Sequence, residues 1–157
     1  MPADAIRTAL ARWRAATAYL AALTRRFDPA ALDWPSACGD WINRQLLAHI
    51  ATGYAMRRNW LRAALLGEPL IPRAAGDAAN AERVAALASA SRRVIAETLI
   101  ANRAGIESLL AQLTEPMLDL AIERSHARGT LREALGDLTN HDLDHAAELR
   151  PLPASPP

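Results

Sequence analysis

Apolar residues recur at alternating spacings of four and three along four stretches of the chain, and that rhythm allows few folds. The first stretch runs Ile6, Leu10, Trp13, Leu20 and Phe27, with Thr17 and Thr24 completing the series. The second runs Ile42, Leu46, His49, Gly53, Met56 and Trp60. The third holds Ile95, Leu99, Ile106, Leu109 and Leu113 with Asn102 in the same row, and the fourth Leu131, Leu135, Leu138, Asp142, His145 and Leu149. An α-helix of 3.6 residues per turn puts such positions on one face, whereas a strand would scatter them over two. Four such helices bury their stripes against one another, so the chain is predicted to be an all-α four-helix bundle.

Punctuation between the stripes sets the expected boundaries. The first helix covers about Ala5 to Arg26 and stops at Asp28-Pro29, because a proline disfavours helical geometry in the residue before it. A connector from Pro29 to Gly39 follows, and Asp40 is a reasonable N-cap for a second helix reaching Leu66. Gly67 suits the C′ position, with Pro69 and Pro72 beyond it. Pro69 to Ala79 reads as a polar loop forming a long crossover between helices two and three. The third helix is expected from about Ala81 to Leu113, ended by Thr114-Glu115-Pro116. Met117 to Gly129 fits either a short strand-like piece or a 3₁₀ connector. Thr130 with Glu133 matches the capping box that opens a fourth helix, which Pro151 stops. The reading is one domain over residues 1–150 and a flexible proline-rich tail over 151–157.

Composition excludes several functions. Of 157 residues, 51% are hydrophobic and the net charge is +1, so the arginines are balanced by acids and form no nucleic-acid-binding face. No apolar run approaches the roughly 20 residues that span a bilayer, and the N-terminus lacks the apolar core of a signal peptide. Cys38 is the only cysteine, which rules out an internal disulfide and suits a reducing cytoplasm.

Three of the four histidines fall on helix faces turned toward the bundle interior. His141 and His145 stand four residues apart, so one helical face presents both imidazoles. His49 lies on the second stripe, where Gly53 one turn later leaves space beside it. A histidine on a core stripe needs a partner, and three neutral imidazoles around one divalent ion, with a position left for water or substrate, describe a catalytic type of metal site. Asp142, on the same stripe, is a candidate to accept the outer ring N–H of a ligand histidine or to act as base; Glu148 is a candidate extra ligand or base. Asp144 reads as a solvated carboxylate, His126 as exposed, and Arg57 and Arg58 as surface arginines, though they could also meet an anionic substrate. A metal-free polar core, or a bundle serving as a binding or interaction module, is the competing reading.

The segment WINRQLLAHI, with Trp41 eight residues before His49, resembles the second-helix signature of the DinB-like superfamily, and the terminal HDLDH resembles its last-helix motif. The match spans essentially the whole chain, departing at Ile42, where that superfamily usually has Ser or Thr; Asp40 or Asn43 is left to cap the helix. The resemblance implies a divalent ion, zinc or nickel first and iron or manganese next, held by His49, His141 and His145. The superfamily includes mycothiol-dependent maleylpyruvate isomerase and bacillithiol transferases, which implies a low-molecular-weight thiol cosubstrate, a small-molecule substrate and a homodimer. The expected activity is thiol transfer, isomerisation or hydrolysis in the cytoplasm.

Overall fold

Four helical rods enclose the core, in the cyclic order Asp4–Arg26, Arg92–Leu110, the pair Asn43–Thr52 and Ala55–Leu66, and the pair Leu131–Gly136 and Asn140–Ala147. The computed structural model describes residues 4–123 and 128–151. The rods are α1 (Asp4–Arg26), α2 (Asn43–Thr52) continued by α3 (Ala55–Leu66), α5 (Arg92–Leu110), and α6 (Leu131–Gly136) continued by α7 (Asn140–Ala147). The long crossover after α3 contains a further helix, α4 (Arg73–Ala86), which lies against α2 and α3. A 3₁₀ turn at Glu115–Asp119 leads into a hairpin of β1 (Ala121–Glu123) and β2 (Arg128–Thr130), paired antiparallel with Ile122 opposite Gly129. The all-α bundle expected from the stripes is therefore the fold, and both readings of the Met117–Gly129 segment hold in part. His126 and residues 152–157 lie outside the described residues.

Three expected helices are interrupted. Past α2 the usual bond from the Ala55 N–H to the Ala51 carbonyl is missing. The carbonyl instead accepts from Asn102 Nδ2 at 2.9 Å, and the N–H donates to Asn80 Oδ1 at 3.4 Å. Two asparagines, one on α5 and one on α4, thus satisfy the polar groups that a break would otherwise orphan. The predicted third helix is two: Ser91 caps α5 by accepting from the Val94 N–H, and the expected loop of residues 69–79 is mostly the start of α4. The fourth helix starts at the predicted capping box, with the Thr130 N–H donating to Glu133 at 2.8 Å, but bends after Gly136 into α7. Gly67 ends α3 in the left-handed conformation, φ +67°, as expected of a C′ glycine.

The start of α2 also differs from expectation. Neither Asp40 nor Asn43 caps it; Ile42 occupies the cap position and its N–H donates to Gln45 Oε1 at 3.0 Å. Asn43 is released to another task. It is fully buried, donates to the carbonyls of Ala31 and Arg150 at 2.8 Å each, and accepts from the Arg150 N–H at 2.9 Å. This clamp fixes the end of the last rod against the start of the second and so sets the depth at which their histidines meet. Replacing Asn43 with Ala leaves these buried backbone groups unpaired, and urea unfolding is expected to show a loss of about 2–4 kcal/mol; a midpoint equal to wild type would refute the clamp.

Candidate metal centre

The clamp brings His49 of α2 opposite His141 and His145 of α7. The Nε2 atoms of His49 and His141 are 3.1 Å apart, and one ring nitrogen from each of the three histidines lies within 4.8 Å of the others. Around zinc, two imidazole nitrogens at the tetrahedral angle stand roughly 3.3 Å apart, so this donor set fits one divalent ion. Two of the three rings are oriented by neighbouring groups. Trp41 meets the His49 ring edge-on, with centroids 5.2 Å apart and planes at 81°. A Cβ on Gly53 would stand 3.3 Å from His49 Cε1 and 2.8 Å from its carbonyl oxygen, so the absent side chain does leave the ring its space. His145 Nδ1 is 2.6 Å from Glu148 Oε2.

Electrostatics favour the neutral imidazoles that bind metals. Burial, followed by the neighbouring His141 and His145, lowers the His49 pKa to about 4. His141, the most exposed of the three, is also lowered, by burial first and then by the Arg57 charge. The hydrogen bond with His145 holds the Glu148 carboxyl below its ordinary range. Cys38 stands beside this pair, grouped with His145 and Glu148 within 4.8 Å, and burial raises its thiol, with Glu148 adding to the effect.

The two carboxylates proposed from sequence take different places. Glu148, half-exposed, is the one that holds a histidine. Asp142, expected to do so or to act as base, faces the core instead and receives two guanidiniums. Arg57 Nη1 donates to its oxygens at 2.9 and 3.2 Å, and Arg103 Nη1 donates to Oδ2 at 2.7 Å. Arg103 is fully buried, with its guanidinium 3.7 Å over the Trp13 ring and further bonds to Thr17 Oγ at 2.6 Å and the Tyr54 hydroxyl at 3.0 Å. Burial, with Asp142 nearby, raises the Tyr54 hydroxyl pKa. Arg57, read as a surface residue, is 8% exposed. Arg103 was missed entirely. Asp144 is exposed, as expected.

The histidines open onto a cavity of about 820 Å³. Trp41, Met56 and Trp60 form its apolar wall on α2–α3 and the loop before them, Ala134 and Leu138 face them, and Arg73, Asp77 and Asn80 project from α4 across the top. A smaller groove of about 420 Å³ between α1 and α5 carries no histidine or cysteine.

An α-helical bundle with three histidines converging at the foot of one cavity defines the class. The sequence profile of the DinB superfamily matches residues 12–149, and the chain belongs to that superfamily. Among solved structures, a mycothiol-dependent maleylpyruvate isomerase superposes with a TM-score of 0.76 at 17% identity, covering 94% of this chain and 61% of that one. A variant of the same isomerase gives 0.77 at the same identity and coverage. YfiT from Bacillus subtilis, described as a probable metal-dependent hydrolase with an unusual four-helix bundle topology, gives 0.68 at 18% identity over 95% of this chain and 86% of that one. At these identities the likeness is one of fold, and the chain spans 61% of the isomerase's length. No curated protein sequence matches this one. Among the described residues no helix is long and apolar enough to cross a membrane.

Removing the Asp142 carboxylate leaves Arg57 and Arg103 as two uncompensated cations in the core. Asp142→Ala is expected to lose about 3–5 kcal/mol of stability in chemical denaturation, whereas the same change at exposed Asp144 leaves the midpoint within error of wild type.

Proposed function

We propose that the chain is a divalent-metal-dependent enzyme acting on a small electrophilic substrate through an activated low-molecular-weight thiol or water. The convergence of three imidazoles at the foot of a large cavity, one of them held by a carboxylate, carries this reading. His49, His141 and His145 would hold the ion, zinc or nickel before iron or manganese. When bound, it would lower the pKa of a coordinated thiol or water and so supply a nucleophile at neutral pH. The surrounding residues have separate tasks. Glu148 accepts from His145 Nδ1 and so fixes the ring with Nε2 forward, the tautomer a ligand needs. Trp41 packs edge-on against His49 and Gly53 gives its ring room, so that ring keeps one orientation. Met56, Trp60 and Leu138 offer apolar surface to the body of a substrate and keep water off it. Of the two proteins with similar folds, one is named as mycothiol-dependent and the other as a probable metal-dependent hydrolase, which supports an ion and a thiol cosubstrate without choosing between transfer, isomerisation and hydrolysis.

A second reading rests on the 3.1 Å between His49 and His141, which is also an ordinary N–H···N hydrogen-bond length. In that case the histidines form a metal-free polar cluster and the cavity serves binding alone.

Elemental analysis separates the two. Protein purified without a nickel column is expected to contain one divalent ion per chain, and His49→Ala, His141→Ala and His145→Ala each to lose it; unchanged metal content in all three variants would sink the assignment. Glu148→Gln keeps the ligands but weakens the bond orienting His145. Its metal affinity, read by competition with a chelator, is expected to fall about 10- to 100-fold, and equal affinity would show that the carboxylate has no part in ligation.

A further inference from the structure

The core beneath the histidines holds one carboxylate between two guanidiniums, so one positive charge there lacks a counter-ion. Donors outnumber acceptors as well: Arg103 Nη2 is buried without a hydrogen-bond partner among the described residues. Burying a charge without compensation is costly, so the position of the surplus matters. Arg103 cannot offer it to a ligand, being sealed by Trp13, Tyr54 and Thr17. Arg57 can. It lines the cavity wall, and its bonds to Asp142 use Nη1 alone. Its Nε and Nη2 make no hydrogen bond among the described residues, yet neither is sealed from solvent. The guanidinium is thus anchored through one nitrogen, with its remaining N–H groups available from the cavity side. Its charge acts on the histidines, since it lowers the pKa of both His141 and His49. The other charges at the cavity stand in water at its rim: Asp137 and Asp144 on the α6–α7 side, and Asp77, which accepts from Arg73 at 3.3 Å.

We propose that the cavity binds its substrate by a carboxylate, received by Arg57 beside the three histidines. A planar guanidinium with adjacent free donors matches a carboxylate in shape as well as charge. The substrate class is therefore a small organic acid whose apolar part lies along Met56 and Trp60. Arg57 is the binding residue, and Asp142 positions it. The proposal rests on reading this cavity as the substrate site, but not on the ion.

The test uses benzoate and its neutral isostere benzamide as probes in titration calorimetry, on zinc-loaded and zinc-free protein. Benzoate is expected to bind at least about tenfold more tightly in both forms, the size of one charge-assisted hydrogen bond; equal binding of the two overturns the proposal. Arg57→Met removes the surplus charge and leaves Asp142 paired with Arg103. It is expected to abolish the preference while zinc content stays at the wild-type level, and a preference that survives in this variant also overturns the proposal. A preference confined to the zinc-loaded protein puts the carboxylate on the ion and overturns the Arg57 role while leaving the metal reading intact. Preference in a protein that binds no ion does the reverse. Should Arg57→Met fail to fold, wild-type crystals soaked with 4-bromobenzoate decide, since anomalous scattering locates the bromine. A carboxylate within hydrogen-bonding distance of Arg57 supports the proposal, and one placed elsewhere overturns it.

Discussion

The contact on which the rest of the structure depends is the Asp142 carboxylate, 2% exposed, held by Arg57 of α3 and Arg103 of α5. It joins three of the four rods at one point, and Trp13 of α1 closes the set by lying under the Arg103 guanidinium. Such a cluster need not stabilise the fold more than well-packed leucines of equal volume. Its effect is on register. If α7 slid by one turn in either direction, Leu138 or Ala146 would face two guanidiniums, and the carboxylate would leave both unpaired. Every alternative depth of α7 is thereby penalised, and the depth that remains is the one that puts His141 and His145 opposite His49. Asn43 enforces the same alignment from the other end of the rod.

The stripes were legible because core helices repeat with a fixed period, and they gave the helical class, the bundle and the faces of α1, α5 and α7 directly. On the second rod the visible stripe was mostly not the core one. Of that stripe only Leu46 is fully buried; Ile42, His49, Gly53, Met56 and Trp60 are half-buried and mostly wall the cavity, whereas the row beside them, Asn43, Leu47, Ile50, Tyr54, Arg57 and Leu61, is fully in the core. That row keeps the same alternating spacing of four and three. It was hidden because two of its six members are polar side chains that normally stay wet and a third carries a hydroxyl. Arg103 was hidden in the same way, although it completes the series Leu99, Arg103, Ile106, Leu110. An aspartate on an apolar stripe was the available signal: a buried carboxylate requires cations, and arginines occupying core positions of neighbouring helices were there to be paired with it.

The helix breaks were illegible for a different reason. A break is stable only if its orphaned backbone groups find partners, and for the α2–α3 break those partners are Asn80 and Asn102, more than twenty residues away in the chain. Local propensity carries no trace of that. Yet the break matters to the site, because it ends α2 just past His49 and puts Gly53 where it leaves that ring its space. The crossover helix, whose first half was read as a loop from its polar composition, supplies the cavity's upper edge.

Asp142 and Glu148 lie six residues apart, and the difference between them bears on how the chemistry can work. A general base needs an available lone pair and a pKa near the working pH. Asp142 already accepts three hydrogen bonds from two guanidiniums and does not line the cavity. Glu148 is reachable, but its bond with His145 draws its carboxyl below the ordinary range, which makes it a poorer acceptor of protons and a better anchor for the ring. Held in these ways, the two carboxylates are better placed as anchors than as bases for a nucleophile. On the proposed reading that task passes to a centre held by the three histidines, and the two acids serve it indirectly: Glu148 by fixing a ligand, Asp142 by fixing the arginine that would receive the substrate.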